Sequence, residues 1–419
     1  MLKAVRFIIL TFAIAFLFST ATPAQVPGGD ALKKSAPQVF IDCNSCDLDY
    51  IRTEITFVNY VRDRKDAQVH VLITTQSTGS GGTEYTLTFS GQEQFAGEDN
   101  VLRYVAGKTD TSDETRSGLV KMLKIGLVPY AGRTPIAAQI TVSFQGQSNP
   151  TSVEDKWNFW VFSVSGSGYF TGEKLSRHSS LSGYFSANRI TPAFKFRTSY
   201  SASRSTDRFS LPTGDIISTS KSQSYQLLAV KSISDHWSVG GGLRASSSTY
   251  NNINFALTPA PAIEYNFFPY SKSTRRQLRL LWKPGFNSYR YDQETIYDKS
   301  SDRLWGETFT TVLEMKEKWG SITSVFEAFH YFRDIHQNHL EFDTEVSLRL
   351  FKGLSLNVWG GYQRIRDQLS LPKGGASVEE VLLRRTQLAT SYSYYGQVGL
   401  SYTFGSIFSN VVNPRFDGY

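Results

Sequence analysis

From Trp157 to Phe404 the chain is written in period two. Segments of roughly 10–15 residues alternate apolar and polar positions and are broken by turn residues. In Leu340–Leu350 the apolar set is Leu340, Phe342, Val346, Leu348 and Leu350, and the opposite set is Glu341, Asp343, Glu345, Ser347 and Arg349. In Gln277–Asn287, Leu278, Leu280, Trp282 and Phe286 oppose Gln277, Arg279, Lys283 and Asn287. In Phe194–Ser203, Phe194, Phe196 and Tyr200 oppose Lys195, Arg197, Ser199, Ser201 and Ser203. Successive strand side chains point to opposite faces, so each such segment makes one apolar and one polar face. Twelve strands are expected, starting near residues 157, 175, 192, 217, 235, 252, 275, 304, 320, 338, 353 and 389.

A soluble β-sandwich alternates too, so the choice turns on other features. The strands are long, as tilted membrane-spanning strands must be. Their polar face carries Gly, Ser and full charges, which suits a solvated or salt-bridged lumen. The connections also alternate in length. With both ends of the sheet on the periplasmic side, Asn188–Pro192, Ser234–His236, Pro269–Thr274, Glu317–Gly320 and Lys352–Gly353 are short turns. Thr206–Asp215, Ser246–Asn252, Tyr291–Arg303, Asp334–Asn338 and Asp367–Arg385 are mostly longer outer loops. Aromatic residues make up 14% of the chain, as interfacial girdles require.

The N-terminus agrees with export. Lys3 and Arg6 precede an apolar run, Phe7–Phe18, that is short of the about 20 residues a spanning helix needs. Thr22-Pro23-Ala24 offers a cleavage site before Gln25. After residue 24 no apolar run of roughly 18 residues recurs, so a membrane-spanning mature chain must span with strands. The expected organisation is a signal peptide (1–24), a flexible leader (25–36), an α/β domain (37–148), a β-barrel (155–405) and a C-terminal tail (406–419). In the α/β domain, Gln38–Asp42, Gln68–Thr75, Thr83–Ser90 and Ala137–Phe144 read as strands. Asp47–Tyr60 and Ser112–Leu127 read as helices, the second opened by Thr111-Ser112-Asp113-Glu114. The order is βαββαβ. The fold class is therefore an all-β transmembrane barrel preceded by a small α/β periplasmic domain.

Three stretches carry a family resemblance: CNSCDLDYIRTEITFVNYVRDRKDAQVHVLIT from Cys43, EYNFFPYSKSTRRQLRLLW from Glu264, and GQVGLSYTFGSIFSNVVNPRF from Gly396. Through them the chain resembles an uncharacterised family of outer-membrane barrel proteins of Bacteroidota-type bacteria. The resemblance implies location and architecture and carries no activity. The terminal strand ends in Phe404 with 15 residues still to follow. That departs from barrels whose last residue is the aromatic that closes the strand.

Several motifs bear on chemistry. Cys43-x-x-Cys46 lies between a strand and a helix start. It fits a structural disulfide, a redox pair activated by the helix N-terminus, or two thiolates of a metal site completed by Asp42, Asp47 or His70. Thr78-Gly79-Ser80-Gly81-Gly82 lacks the Lys-Ser/Thr of a phosphate-cradling loop and reads as a hairpin turn. His336 and His339, with His330 nearby, have metal-ligand spacing but read as loop polarity. His178-Ser179-Ser180 is the nearest thing to a nucleophile–base pair and lacks a hydrolase motif.

No catalytic, cofactor or metal constellation is assigned, and the chain is expected not to be an enzyme. The formal charge is +7, yet its Lys and Arg are scattered, mostly singly, with no basic run interleaved with stacking aromatics, so nucleic acid is not an expected partner. Candidate lumen charges are Lys195, Arg197, Arg279, Lys283, Glu341, Asp343, Glu345 and Arg349; the acids either line a cation path or, the favoured reading, pair with the bases and occlude the bore. The expected partners are outer-membrane lipids and a periplasmic protein. The expected role is a pore or a membrane platform, or else an accessory factor in envelope secretion or assembly, with an outer-membrane enzyme using Ser179 or Cys43 ranked last.

Overall fold

The computed structural model describes residues 33–79, 81–143, 157–212, 214–374, 389–410 and 412. The expected signal peptide, most of the leader and the end of the tail lie outside the described residues. The first unit contains β1 (Gln38–Asp42), α1 (Leu48–Glu54), β2 (Asn59–Tyr60), β3 (Val69–Ser77), β4 (Thr83–Gly91), β5 (Asp99–Ala106) and α2 (Ser112–Ala131). Its sheet has the order β2-β1-β3-β4-β5. The β1–β2 and β1–β3 pairs are parallel, and β3–β4 and β4–β5 are antiparallel.

Local chemistry sets the helix ends. The Asp47 carboxylate accepts the Tyr50 amide at 2.9 Å and starts α1. Thr111 and Glu114 form a reciprocal capping box that starts α2. Along α2, Leu119, Val120, Leu123, Leu127 and Tyr130 recur at helical spacing and pack on Val69, Val71, Leu87 and Phe89 of the sheet. Gly126 lets the Phe89 ring lie on the helix backbone: a Cβ there would sit 2.0 Å from it.

The α/β class is as expected, but the order is not βαββαβ. Pro135–Gln139 is a 3-10 turn and residues 140–143 join no ladder, so the closing strand at Ala137–Phe144 is absent over its described part. The strand it stood for is β5, which follows β4 through a short connection and takes β4's free edge before α2 begins. The first helix stops at Glu54 because Asn59–Tyr60 is drawn into the sheet beside β1. Ala36, assigned to the leader, is buried against Ala131 and Ile136, and so belongs to the domain.

The second unit is a twelve-stranded antiparallel meander in sequence order. Its strands are β6 (Trp160–Gly172), β7 (Ser176–Ile190), β8 (Phe194–Leu211), β9 (Gly214–Ser232), β10 (Trp237–Ser248), β11 (Ile253–Asn266), β12 (Arg276–Tyr291), β13 (Ser301–Glu317), β14 (Gly320–Tyr331), β15 (Asp334–Phe351), β16 (Leu354–Ile365) and β17 (Tyr392–Tyr402). The strand number and starts follow the sequence alternation. The loop asymmetry is weaker than expected. Strand β8 runs to Leu211 and β9 begins at Gly214, and Asp334–Asn338 lies inside β15, so the long separations between consecutive strands at the end away from the α/β unit are those from Tyr291 to Ser301 and from Ile365 to Tyr392. No ladder joins β6 to β17 among the described residues, leaving a seam between the first and last strands.

Register fixes what each face carries. Phe326, Phe342, Tyr362 and Tyr394 are directly paired across four strands and stay exposed, by 38% to 76%. Val239, Ile263, Trp282 and Phe309 form a second exposed row on the same face. The eight candidate lumen charges occupy the other face, while Lys231 and Glu307 stand among the exposed rows. Replacing Gly126 by Ala tests the packing of the first unit. At an open helix position this change gains about 1 kcal/mol. Here it should cost about 1–3 kcal/mol through the clash with Phe89, read as reduced hydrogen-exchange protection of β3 and β4.

Candidate functional site

Continuous cross-strand pairing puts Lys195, Arg197, Arg279, Lys283, Glu341, Asp343, Glu345 and Arg349 on one face. That face is concave. Asn188, Arg197, Gln226, Arg244, Thr258 and Ala260, from five successive strands, line one hollow of about 460 Å³. Lys195 on β8 is within electrostatic range of Glu264 on β11 and Arg279 on β12.

The expected pairing of the lumen acids with the lumen bases is not what is found. Most of the bases stand on β8–β12, as Lys195, Arg197, Arg244, Arg279 and Lys283, with Glu264 among them. Most of the acids stand on β13–β15, as Glu314, Glu327, Glu341, Asp343 and Glu345, with Lys316 and Arg349 on the same strands. Strand order keeps the two groups in different sectors, so most partners are local. Arg279 reaches Glu264 at 3.4 Å, Gln363 donates to Glu341 at 2.6 Å, and Tyr395 donates to Asp343 at 2.5 Å. Lys283 stands opposite Thr308, and Glu345 between Thr323 and Trp359. The face thus has a mainly basic side and a mainly acidic side.

Arg349 does something the sequence did not signal. It leaves the strand unit and grips Asp42 of the α/β domain through both terminal nitrogens, one of the bonds at 2.5 Å. His70 bonds the same carboxylate at 3.3 Å, and its ring lies against Phe40, over which Arg349 also sits. Lys352 pairs with Asp66, Asp63 accepts the Gly353 amide at 2.7 Å, and Arg64 donates to the Lys318 carbonyl. On the far side, the β3–β4 hairpin tip at Gly79 touches Ile190 at the end of β7. Six of the twelve strands separate that contact from Lys318, so the α/β sheet reaches across this end of the strand unit. Hence β3 is buried on both faces: Val69 and Val71 under the helices, His70, Leu72 and Thr74 toward the strands.

The tail completes the contact. Residues 407–410 add to the free edge of β2: Arg62 donates its amide to Ile407 O at 2.8 Å, Ser409 donates to Tyr60 O at 2.9 Å, and Val61 bridges Phe408 antiparallel. The Asn410 side chain accepts the Tyr60 amide at 2.5 Å. At the opposite end, Leu369 packs on inward-facing Leu304 and Tyr331, and Ile296 donates to Leu371 O at 2.9 Å.

The other motifs resolve as follows. Cys43 and Cys46 are bonded to each other. Asp47 is spent on the α1 cap and Asp42 on Arg349 and His70, so the metal set they were to complete is not assembled. His336 and His339 fall on opposite faces because a three-residue step in a strand changes face. His339 lies between Asp367 at 3.4 Å and Glu341 at 3.7 Å. His178 bonds Asp207 at 2.6 Å, whereas its neighbour Ser179 faces the other way. Thr78–Gly82 is a hairpin turn, with the Thr78 amide on Gly82 O at 2.9 Å.

No protein-family model and no curated protein matches the chain. Among solved structures it is similar to the NanC porin, at 11% identity over 57% of this chain and 99% of that one, with a TM-score of 0.27. It is also similar to the translocator domain of the autotransporter NalP from Neisseria meningitidis, at 8% identity over 58% of this chain and 87% of that one, with a TM-score of 0.18. Both likenesses are remote, and function has to be read from this chain's own two faces.

Burial pushes the Asp42 carboxyl up, but the Arg349 and His70 hydrogen bonds outweigh it and leave it at about 2. Burial holds the His70 ring below its ordinary value and outweighs the Asp42 bond. Both shifts are depressions, so both contributions are complete above the unfolded values and fade as pH falls. Domain stability should begin to decline below pH 6.5, as unfolded His70 takes up a proton. Docking should weaken further between pH 3.8 and about 2 as Asp42 protonates. Arg349→Ala should cost docking about 1–3 kcal/mol at neutral pH and flatten the acid-side step in a hydrogen-exchange pH series.

Proposed function

We propose that the chain is an integral outer-membrane β-barrel protein whose periplasmic end is capped by its own α/β domain. The observation that carries this is the division of the twelve-stranded sheet into an exposed face of paired aromatic and aliphatic rows and a concave face of charges. Contiguous exposed apolar surface on this scale needs a covering, and a bilayer supplies one for a sheet of such length. Hydrocarbon offers no partner for backbone N–H and C=O groups, so in the membrane β6 and β17 pair and close the seam. The role is that of a membrane platform with a capped lumen, and the basic and acidic sectors would bias any solute admitted when the cap lifts.

The accessory-factor reading draws support from the helical side of the α/β domain, which faces away from the barrel. There Phe57, Ile125, Val128, Ile136 and Ile140 line a groove flanked by Lys33, Glu54 and Lys124, where a periplasmic protein could dock.

The protein should remain in the membrane pellet after alkaline washing and need detergent for extraction; monodisperse protein in detergent-free buffer would sink the membrane assignment. In planar bilayers the wild type should conduct little. Asp42→Ala combined with Lys352→Ala should raise conductance several-fold. If both proteins stay at the empty-bilayer level, the pore role fails and the platform role stands.

A further inference from the structure

Where the α/β domain meets the barrel there is a second cleft, of about 140 Å³, whose lining includes Arg62, Arg64, Lys65, Arg349, Phe351 and Gly353. It is strongly cationic. Its single lining acid, Asp63, is committed, one oxygen to the Lys65 amide at 2.9 Å and the other to the Gly353 amide at 2.7 Å. Arg349 is neutralised by Asp42. Arg64 has only a carbonyl acceptor, at Lys318, which leaves its charge in place. Burial, and then the nearby Arg349, hold its guanidinium below the ordinary value, outweighing the opposite pull of Asp63 and Asp42.

Arg62 gives the second indication. Its Nε is buried without a hydrogen-bond partner, while the chain turn at Gly405 lies along its guanidinium. An orphaned buried N–H on a cation is costly unless an acceptor arrives. Size narrows the acceptor, since sites for drug-sized molecules run to about 300–1,000 Å³. A cleft this small suits a compact oxyanion, and converging guanidinium and ammonium groups suit a phosphate.

We propose that this cleft binds a phosphate group, presented by a phospholipid headgroup or by a soluble phosphate. The lipid source rests on the membrane reading above, and the soluble source does not. The surroundings fit a headgroup: Phe351, Tyr402 and Phe404 are all exposed close by, as aromatic residues at a bilayer interface are.

The test uses full-length protein in a non-ionic detergent at fixed ionic strength. Calorimetric titration with inorganic phosphate, and with acetate as the carboxylate control, addresses the soluble source. Native mass spectrometry after exposure to phosphatidylglycerol, with diacylglycerol as the phosphate-free control, addresses the lipid source. Arg62→Gln and Lys65→Gln should each weaken phosphate or phosphatidylglycerol binding about tenfold, with Arg62→Lys intermediate and Lys121→Gln, on the far helix, unchanged. Unaltered melting of each variant excludes misfolding as the cause. Phosphate binding with this pattern supports a soluble ligand, and phosphatidylglycerol retention alone supports a headgroup. Equal binding of acetate, equal binding by the variants, or no binding of either ligand overturns the proposal.

Discussion

Each strand from β6 to β17 must hand its backbone N–H and C=O groups to a neighbour, and that obligation organises the molecule. It holds the strands in a single meander and locks their register. Because side chains alternate faces, locked register sorts every residue onto one of two surfaces. The exposed aromatic rows and the charged concave face are therefore two outcomes of one constraint. A one-residue slip in any strand would carry charges such as Glu341 and Asp343 out among the aromatics. The seam between β6 and β17 is where the obligation is unmet, and it is the place most sensitive to the surrounding medium.

The α/β domain obeys the same logic at its own edge and faces. Its sheet has helices on one side only, yet β3 is apolar and β-branched along most of its length. The uncovered side is finished by the end of the barrel, and the free edge of β2 by the tail. The Asp42–Arg349 pair sits at this junction with His70 behind it. Partly buried ion pairs contribute modestly to stability, but losing one partner strands the other, so the pair chiefly specifies one docking geometry.

The sequence was legible wherever a local pattern decided the outcome. Strict alternation located the twelve strands, and Thr111 with Glu114 located the start of α2. Alternation also puts the eight candidate charges on one face, as the strand register does. It could not assign their partners, because Arg279 and Glu341 share a face while standing three strands apart, and a partner depends on position around the sheet. β5 was hidden because it is apolar on both faces, with Val101 and Val105 on one and Leu102 and Tyr104 on the other. The 3-10 turn at Pro135–Gln139 was mistaken for a strand because Ala137–Phe144 contains alternating apolar residues with no edge left to join. The Asp42–Arg349 contact spans most of the chain, and no local signal announces it. The tail strand at Ile407–Phe408 left only a faint trace, two apolar residues between serines.

The tail strand has a consequence for biogenesis. The α/β domain precedes the barrel in the chain, but the segment that covers the edge of its sheet, Ile407–Asn410, follows the last barrel strand. The domain can build its helical core early and still lack its outermost strand until the entire barrel has been synthesised and delivered. Until then the β2 edge stays available, and what eventually occupies it is the chain's own segment beyond β17. Closure of the first domain is thereby a report that the segment after β17 has arrived, and truncation anywhere in the barrel leaves that edge open to any other extended segment that can pair with it.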